Sequence, residues 1–129
     1  LTSAMEDYLE AVLIMQQRHG YVRCVDVAEQ LGVKKPSVSR AVKELSKSGH
    51  LVKNADGALS LTETGLQLAE QIYEKHRFFT KQLIDAGVDP KTAESDACRI
   101  EHVISKETFE RLKAARKLSE KAVISSDES

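Results

Sequence analysis

The sequence contains no tryptophan, and its three tyrosines and three phenylalanines make aromatics only 5% of 129 residues. Its core must therefore be filled mainly by aliphatic side chains, which suits helices packed through Leu, Val, Ile and Ala. Cysteine is as scarce: Cys24 and Cys98 stand far apart, in a chain without a signal-peptide pattern. That excludes a disulfide scaffold and points to thiols in a reducing cytoplasm. No apolar run is long enough to span a bilayer, so no membrane partner is expected. The net charge is −1. No global field announces a nucleic acid, and any basic surface has to be local. There is no Gly-rich loop, His-Glu-x-x-His pair or nucleophile elbow, so an enzyme acting on a small-molecule substrate is not expected; a metallohydrolase is the weaker reading. The length fits one ordinary domain or two small ones, and neither an internal repeat nor a low-complexity linker interrupts it.

What is present centres on residues 94–102, Glu-Ser-Asp-Ala-Cys-Arg-Ile-Glu-His. On a helix, Cys98, Glu101 and His102 lie at i, i+3 and i+4, so a thiol, a carboxylate and an imidazole share one face. These are one S, one O and one N donor to a divalent transition metal. The other stripe, Ala93, Ala97, Ile100 and Ile104, can pack inward. A partly buried helix in which Glu and His merely adjoin would show the same triplet.

Residues 3–18 read as a helix with Met5, Tyr8, Leu9, Val12, Leu13 and Met15 on one broad arc. Asp7 and Glu10 lie on the other side, mixed with Ala11 and Ile14. That is not a plain solvent face; it suits a helix clamped between two bodies with the acids at the second contact. After His19-Gly20 comes a short helix closed by Gly32, then a helix over residues 34–47 with Pro36 in its first turn. Val38, Val42 and Leu45 form the core stripe of that second helix, leaving Ser37, Ser39, Arg40 and Lys43 outside. This is the helix-turn-helix pattern. Alternation at residues 50–53 and 58–61 around Asn54-Ala55-Asp56-Gly57 predicts a hairpin, placed as a wing. Residues 34–53 hold six Lys/Arg (Lys34, Lys35, Arg40, Lys43, Lys47 and Lys53) against one acid, Glu44. A solvated helix face is the bland reading. The serines, the spacing and the wing favour DNA.

Thr62 is placed to cap a long helix to about Asp85. His76 falls within its apolar stripe of Leu68 or Ile72, Phe79 and Leu83, as either a core histidine or a ligand. Gly87 stops that helix, and Asp89-Pro90 starts the one carrying the donor triplet. A last helix is expected over about 106–118, capped by Ser105, with fraying from Ser119 onward. The helices beyond residue 62 hold more apolar residues than a small monomer needs. A dimer interface is therefore expected around Phe78, Phe79, Phe109 and Leu112. The reading is mostly α: a winged helix-turn-helix domain over 1–66, then an all-helical metal-binding and dimerisation domain over 67–129.

This order of parts resembles the DtxR/MntR family of metal-dependent repressors across almost the whole chain. The carriers are Met5-Glu6-Asp7-Tyr8-Leu9-Glu10, Asp26-Val27-Ala28-Glu29, Pro36-Ser37-Val38-Ser39, Leu61-Thr62-Glu63-Thr64-Gly65, Lys75-His76-Arg77, and Asp96-Ala97-Cys98-Arg99-Ile100-Glu101-His102-Val103-Ile104-Ser105. The resemblance implies a metal site built from Asp7, Glu10, His76, Cys98, Glu101 and His102. At Cys98 the manganese branch has Glu and the iron branch Cys, whereas at Asp7 the iron branch has Met. The iron branch's second site is incomplete, with Thr80 in place of an acid and Glu94 in place of a His. In length the chain resembles the shorter manganese regulators.

The implied function is a cytoplasmic, homodimeric repressor activated by Mn²⁺ or Fe²⁺, with Zn²⁺ or Co²⁺ as other occupants that a thiolate would accept. It would bind a palindromic double-stranded operator, with Lys34, Lys35, Lys43 and Lys53 on phosphates and Pro36, Ser37, Ser39 and Arg40 toward base edges. A winged-helix regulator answering to redox state, through Cys98, or to a small organic ligand shares residues 20–62 and is the alternative.

Overall fold

The computed structural model describes the backbone of residues 1–128 and the side chains of residues 1–121. The described chain comprises α1 (Ser3–His19), α2 (Cys24–Leu31), α3 (Lys35–Lys47), β1 (Leu51–Lys53), β2 (Leu59–Leu61), α4 (Glu63–Asp85), α5 (Pro90–Val103) and α6 (Lys106–Glu128). It divides into two compact units, Leu1–Glu74 and Lys75–Ser129.

The first unit is a winged helix-turn-helix. Thr2 Oγ1 accepts from the Met5 N–H at 3.2 Å to open α1, and Gly20 closes it at φ +73. The core takes Leu9, Val12 and Leu13 from α1, Val27 and Ala28 from α2, and Val38, Val42 and Leu45 from α3. Leu9, Val38 and Leu45 have no exposed surface. Burying each such side chain contributes about 1.5–3 kcal/mol. Met5, Tyr8 and Met15 flank this core, as their arc on α1 predicts.

The wing is small and held by side chains. Leu51 pairs with Leu61, Val52 with Ser60 and Lys53 with Leu59. Asn54 Oδ1 accepts from the N–H groups of Asp56 and Ala58, and Gly57 completes the turn at φ +86. The Leu59 N–H donates to the Val22 carbonyl at 2.8 Å, which ties the hairpin to the segment before α2.

The Leu-Thr-x-x-Gly run after the wing has a physical explanation. Thr62 Oγ1 donates to the Gly49 carbonyl at 2.7 Å and accepts from the Gly65 N–H at 3.0 Å. Gly65 is needed at that turn because a Cβ there would lie 1.8 Å from the His50 carbonyl oxygen.

The second unit packs around Phe79, Ala97 and Phe109, with Phe78, Ile100 and Ile104 against them. Phe78 meets Phe79 and Phe109 edge-on, with ring centroids 5.1 and 5.5 Å away. Asp89 caps α5 by accepting from the Lys91 and Thr92 N–H groups. The final helix corrects the sequence expectation: α6 runs to Glu128 instead of ending near 118. No Gly or Pro lies in residues 106–128, and an Arg116–Glu120 pair at i, i+4 supports the turn where fraying was expected.

Candidate functional site

Three of the expected metal donors come from α5 and one from α4. Ala93 and Ala97 are fully buried, so α5 is seated on its small-residue stripe. The residues one position further along then carry Cys98, Glu101 and His102 on a different face. Their donor atoms lie within 4.8 Å of one another. Glu101 is the centre of the group, with only 2% of its surface exposed. Its Oε2 is 2.9 Å from His76 Nδ1, and its Oε1 is 3.4 Å from His102 Nε2. That second oxygen is buried without a hydrogen-bond partner among the described residues.

A carboxylate taken out of water is costly unless opposite charge or hydrogen bonds offset the loss. Here one oxygen has an imidazole partner and the other is close to an imidazole but unsatisfied. A cation shared by Glu101 with the Cys98 thiol and the His102 imidazole would meet that need. The donor set is mixed in hardness, which suits a divalent transition ion better than Ca²⁺ or Mg²⁺.

In the first unit, Asp7 and Glu10 are one turn apart on α1. Asp7 is half-buried and Glu10 is 8% exposed, unusual burial for an acid in the middle of a helix. Near His76, Thr80 Oγ1 donates to the His76 carbonyl at 2.7 Å, a local bond along α4. Glu94 is an outlying neighbour, with Oε1 3.9 Å from His76 Nε2 and a side chain 72% exposed.

The basic block forms an accessible surface. Lys34, Lys35, Pro36, Ser37, Ser39, Arg40 and Lys43 are all exposed at or along α3, while Val38, Ala41, Val42 and Leu45 are buried on its other side. Lys53 is exposed at the end of β1. Of the aromatic set expected at a dimer interface, Phe79 and Phe109 are 8% and 3% exposed, because they fill the core of their own unit. Phe78 is half-buried and Leu112 is exposed. Both cysteines are free thiols, and Cys24 belongs to the first unit's core.

Two family models match successive parts of the chain. Residues 1–59 match the iron dependent repressor N-terminal DNA binding domain, and residues 62–117 match the iron dependent repressor metal binding and dimerisation domain. An uncharacterised HTH-type transcriptional regulator of Methanocaldococcus jannaschii is 32% identical over 115 residues, covering 88% of this chain and 92% of that protein. The HTH-type transcriptional regulator MntR of Lysinibacillus sphaericus is 33% identical over 111 residues, covering 86% of this chain and 80% of the other. Among solved structures, the manganese regulator SloR superposes with a TM-score of 0.80 at 28% identity, covering 91% of this chain and 55% of SloR. The chain thus spans about half the length of SloR. With a winged helix-turn-helix followed by a helical unit in which a buried carboxylate gathers metal donors, the chain belongs to the DtxR/MntR family of metal-dependent transcriptional repressors, which are not enzymes.

Proposed function

We propose that this chain is a metal-activated repressor that answers to Mn²⁺ or Fe²⁺ and binds a palindromic operator as a homodimer. The observation that carries the metal half is Glu101, buried with an imidazole at each oxygen and the Cys98 thiol on the same helical face. His76, Cys98, Glu101 and His102 would hold the ion, and Asp7 and Glu10 of α1 would complete its ligand set. Oxygen and nitrogen donors suit Mn²⁺ and Fe²⁺, while the thiolate biases the set toward Fe²⁺, Co²⁺ or Zn²⁺. Glu10 and Glu101 are the carboxylates able to bridge, should two ions bind.

The bound cation supplies positive charge among carboxylates. Without it, Asp7, Glu10 and Glu101 would repel one another and α1 would be loosely held against the dimerisation unit. With their repulsion offset, α1 is pinned and the spacing of the two α3 helices in the dimer is fixed. This is a population shift: the DNA-competent arrangement binds metal better, so DNA tightens metal by the same factor. A coupling of about 1–3 kcal/mol is typical of such linkage.

On the duplex, Lys34, Lys35, Lys43 and Lys53 take backbone phosphates, and Pro36, Ser37, Ser39 and Arg40 face base edges. A single winged helix reads few base pairs, and two-fold pairing on a palindrome is the usual remedy. The helical domain, residues 67–129, supplies that pairing. Its aromatic cluster buttresses the interface through Phe79 and Phe109, and Phe78 and Leu112 present the accessible apolar surface. The two free thiols fit a protein working in the cytoplasm.

The test selects binding sites from a random duplex pool with Mn²⁺, Fe²⁺, Co²⁺, Zn²⁺ or chelator present, and measures affinity for the selected duplex. Metal should tighten binding by roughly 5–150-fold, the range of that coupling. DNA binding indifferent to chelator would leave a bare winged-helix protein.

A further inference from the structure

Arg23 lies outside the basic block of residues 34–53, yet the fold brings it to that block. It immediately precedes α2, where its N–H donates to Asp26 Oδ2 at 2.8 Å. Its guanidinium is held by one neighbour, Tyr21. Nη2 donates to the Tyr21 hydroxyl at 2.6 Å, and Cζ lies 5.1 Å from the centre of the Tyr21 ring. Across from it is Gly57 of the wing turn, where an added Cβ would lie 3.3 Å from Nη1. The wing's glycine therefore leaves the room that the guanidinium fills.

Arg23 lines a cavity of about 190 Å³ together with Lys35, in the first turn of α3, and Lys53, at the end of β1. Cys24, Val25 and Gly57 complete the lining. Among the described residues, no carboxylate pairs with any of these three cations. Three like charges around one small space repel, and an anion there converts repulsion into attraction. Arg23 is exposed, so its fork is open to a ligand while Tyr21 limits the positions it takes. That planar donor fork is of the kind that matches phosphate oxygens two at a time.

We propose that Arg23, Lys35 and Lys53 form a single clamp for a backbone phosphate of duplex DNA. The clamp draws on the segment before α2, the recognition helix and the wing, and so fixes how the winged helix seats on the duplex without reading its sequence. The inference rests on the DNA-binding reading above and adds a site and a residue to it.

The test uses the whole chain with saturating metal and a random-sequence duplex, with affinity followed by fluorescence anisotropy across a salt series. Arg23→Gln should weaken binding roughly tenfold or more, as loss of a charge-assisted bond does. It should also make the slope of log affinity against log salt shallower by about 0.9, the value of one phosphate contact. Tyr21→Phe keeps every charge but frees the guanidinium. It should weaken binding while leaving the slope unchanged, an effect that mere loss of charge cannot give.

Should Arg23→Gln fail to fold by circular dichroism, Arg23→Lys and Tyr21→Phe carry the test, and parental binding by both overturns the clamp. Folded Arg23→Gln with the parent's affinity and slope also overturns it, while leaving the protein a DNA binder. Inorganic phosphate is the control for a soluble anion. If it saturates an Arg23 side-chain NMR shift in the parent while Arg23→Gln leaves DNA binding intact, the cavity belongs to a free anion and the clamp is wrong. A parent that binds no duplex with any metal removes both the clamp and the proposed function.

Discussion

His76 and Glu101, 25 residues apart in sequence, meet with Nδ1 and Oε2 separated by 2.9 Å. The carboxylate is buried and has His102 at its other oxygen, so it is the common neighbour of imidazoles from two helices. Replacing Glu101 by Gln keeps its shape and removes its charge. Outer-shell partners of metal ligands are typically worth 10–100-fold in affinity, so loss of a ligand should cost at least about 100-fold. Calorimetric titration with Mn²⁺ and Co²⁺ measures this. Undiminished affinity in Glu101→Gln would remove the carboxylate from the site.

Cys98 should leave a spectroscopic trace. With Co²⁺ bound, the parent is expected to show a thiolate-to-cobalt charge-transfer band in the near ultraviolet, absent in Cys98→Ser. Cys98→Glu replaces a soft donor by a hard one and should shift relative affinity toward Mn²⁺ and away from Zn²⁺. Competition titrations of parent and variant read that shift. An unchanged ranking with no band would return Cys98 to a packing role.

The first turn of α4 has no room for a side chain at Gly65, where the obstacle is the His50 carbonyl. Because backbone must move, Gly65→Ala is expected to destabilise the first unit by about 1–3 kcal/mol, the usual cost of overpacking. Urea unfolding of the metal-free protein checks it. An unaltered midpoint would mean that the turn shifts freely.

Asp85 of α4 is bonded by the Arg116 guanidinium of α6, which holds its carboxyl below the ordinary value of 3.8, and Lys81 adds to the effect. A lowered carboxylate pKa stabilises the fold above its unfolded value, and that stability is lost as pH falls through the folded one. Its contribution is therefore present at neutral pH and disappears only below about pH 4. In NMR titration, Arg116→Gln should return the Asp85 midpoint toward 3.8. An unmoved midpoint would assign the shift elsewhere.

Arg40 and Lys53 should separate reading from holding. Arg40→Ala is expected to relax base preference at one position, worth about 1–3 kcal/mol of discrimination. Lys53→Ala should weaken specific and random duplexes alike. Equal losses on both duplexes for both variants would undo that division of labour.

The helices were legible wherever local chemistry dictates them. The wing turn of Asn54 and Gly57, the Thr62 cap and the Asp89-Pro90 start all form where their residue types predict. The clustering of Cys98, Glu101 and His102 follows from helical spacing alone, and the meeting of Glu101 with His76 from the family resemblance. What depended on tertiary placement was not legible. Nothing in the spacing says that Phe79 and Phe109 fill their own unit's core, since a stripe does not name its partner. Nor does spacing place Arg23 beside Lys35 and Lys53, because that proximity exists only once the wing folds back. Polarity beyond Ser119 does not stop α6, because Lys, Glu and Ala are good helix formers.

Glu101 adjoins donors on two sides, whereas Cys98 belongs to only one of them. Mutation at the two positions consequently has unequal reach. A descendant lineage that altered residue 98 would retune which ion it recognises and retain the His76 side intact, while any loss at residue 101 would dismantle both sides in a single step. If the proposed site holds the ion, its preference among ions is the easily altered property, and binding itself rests on residue 101.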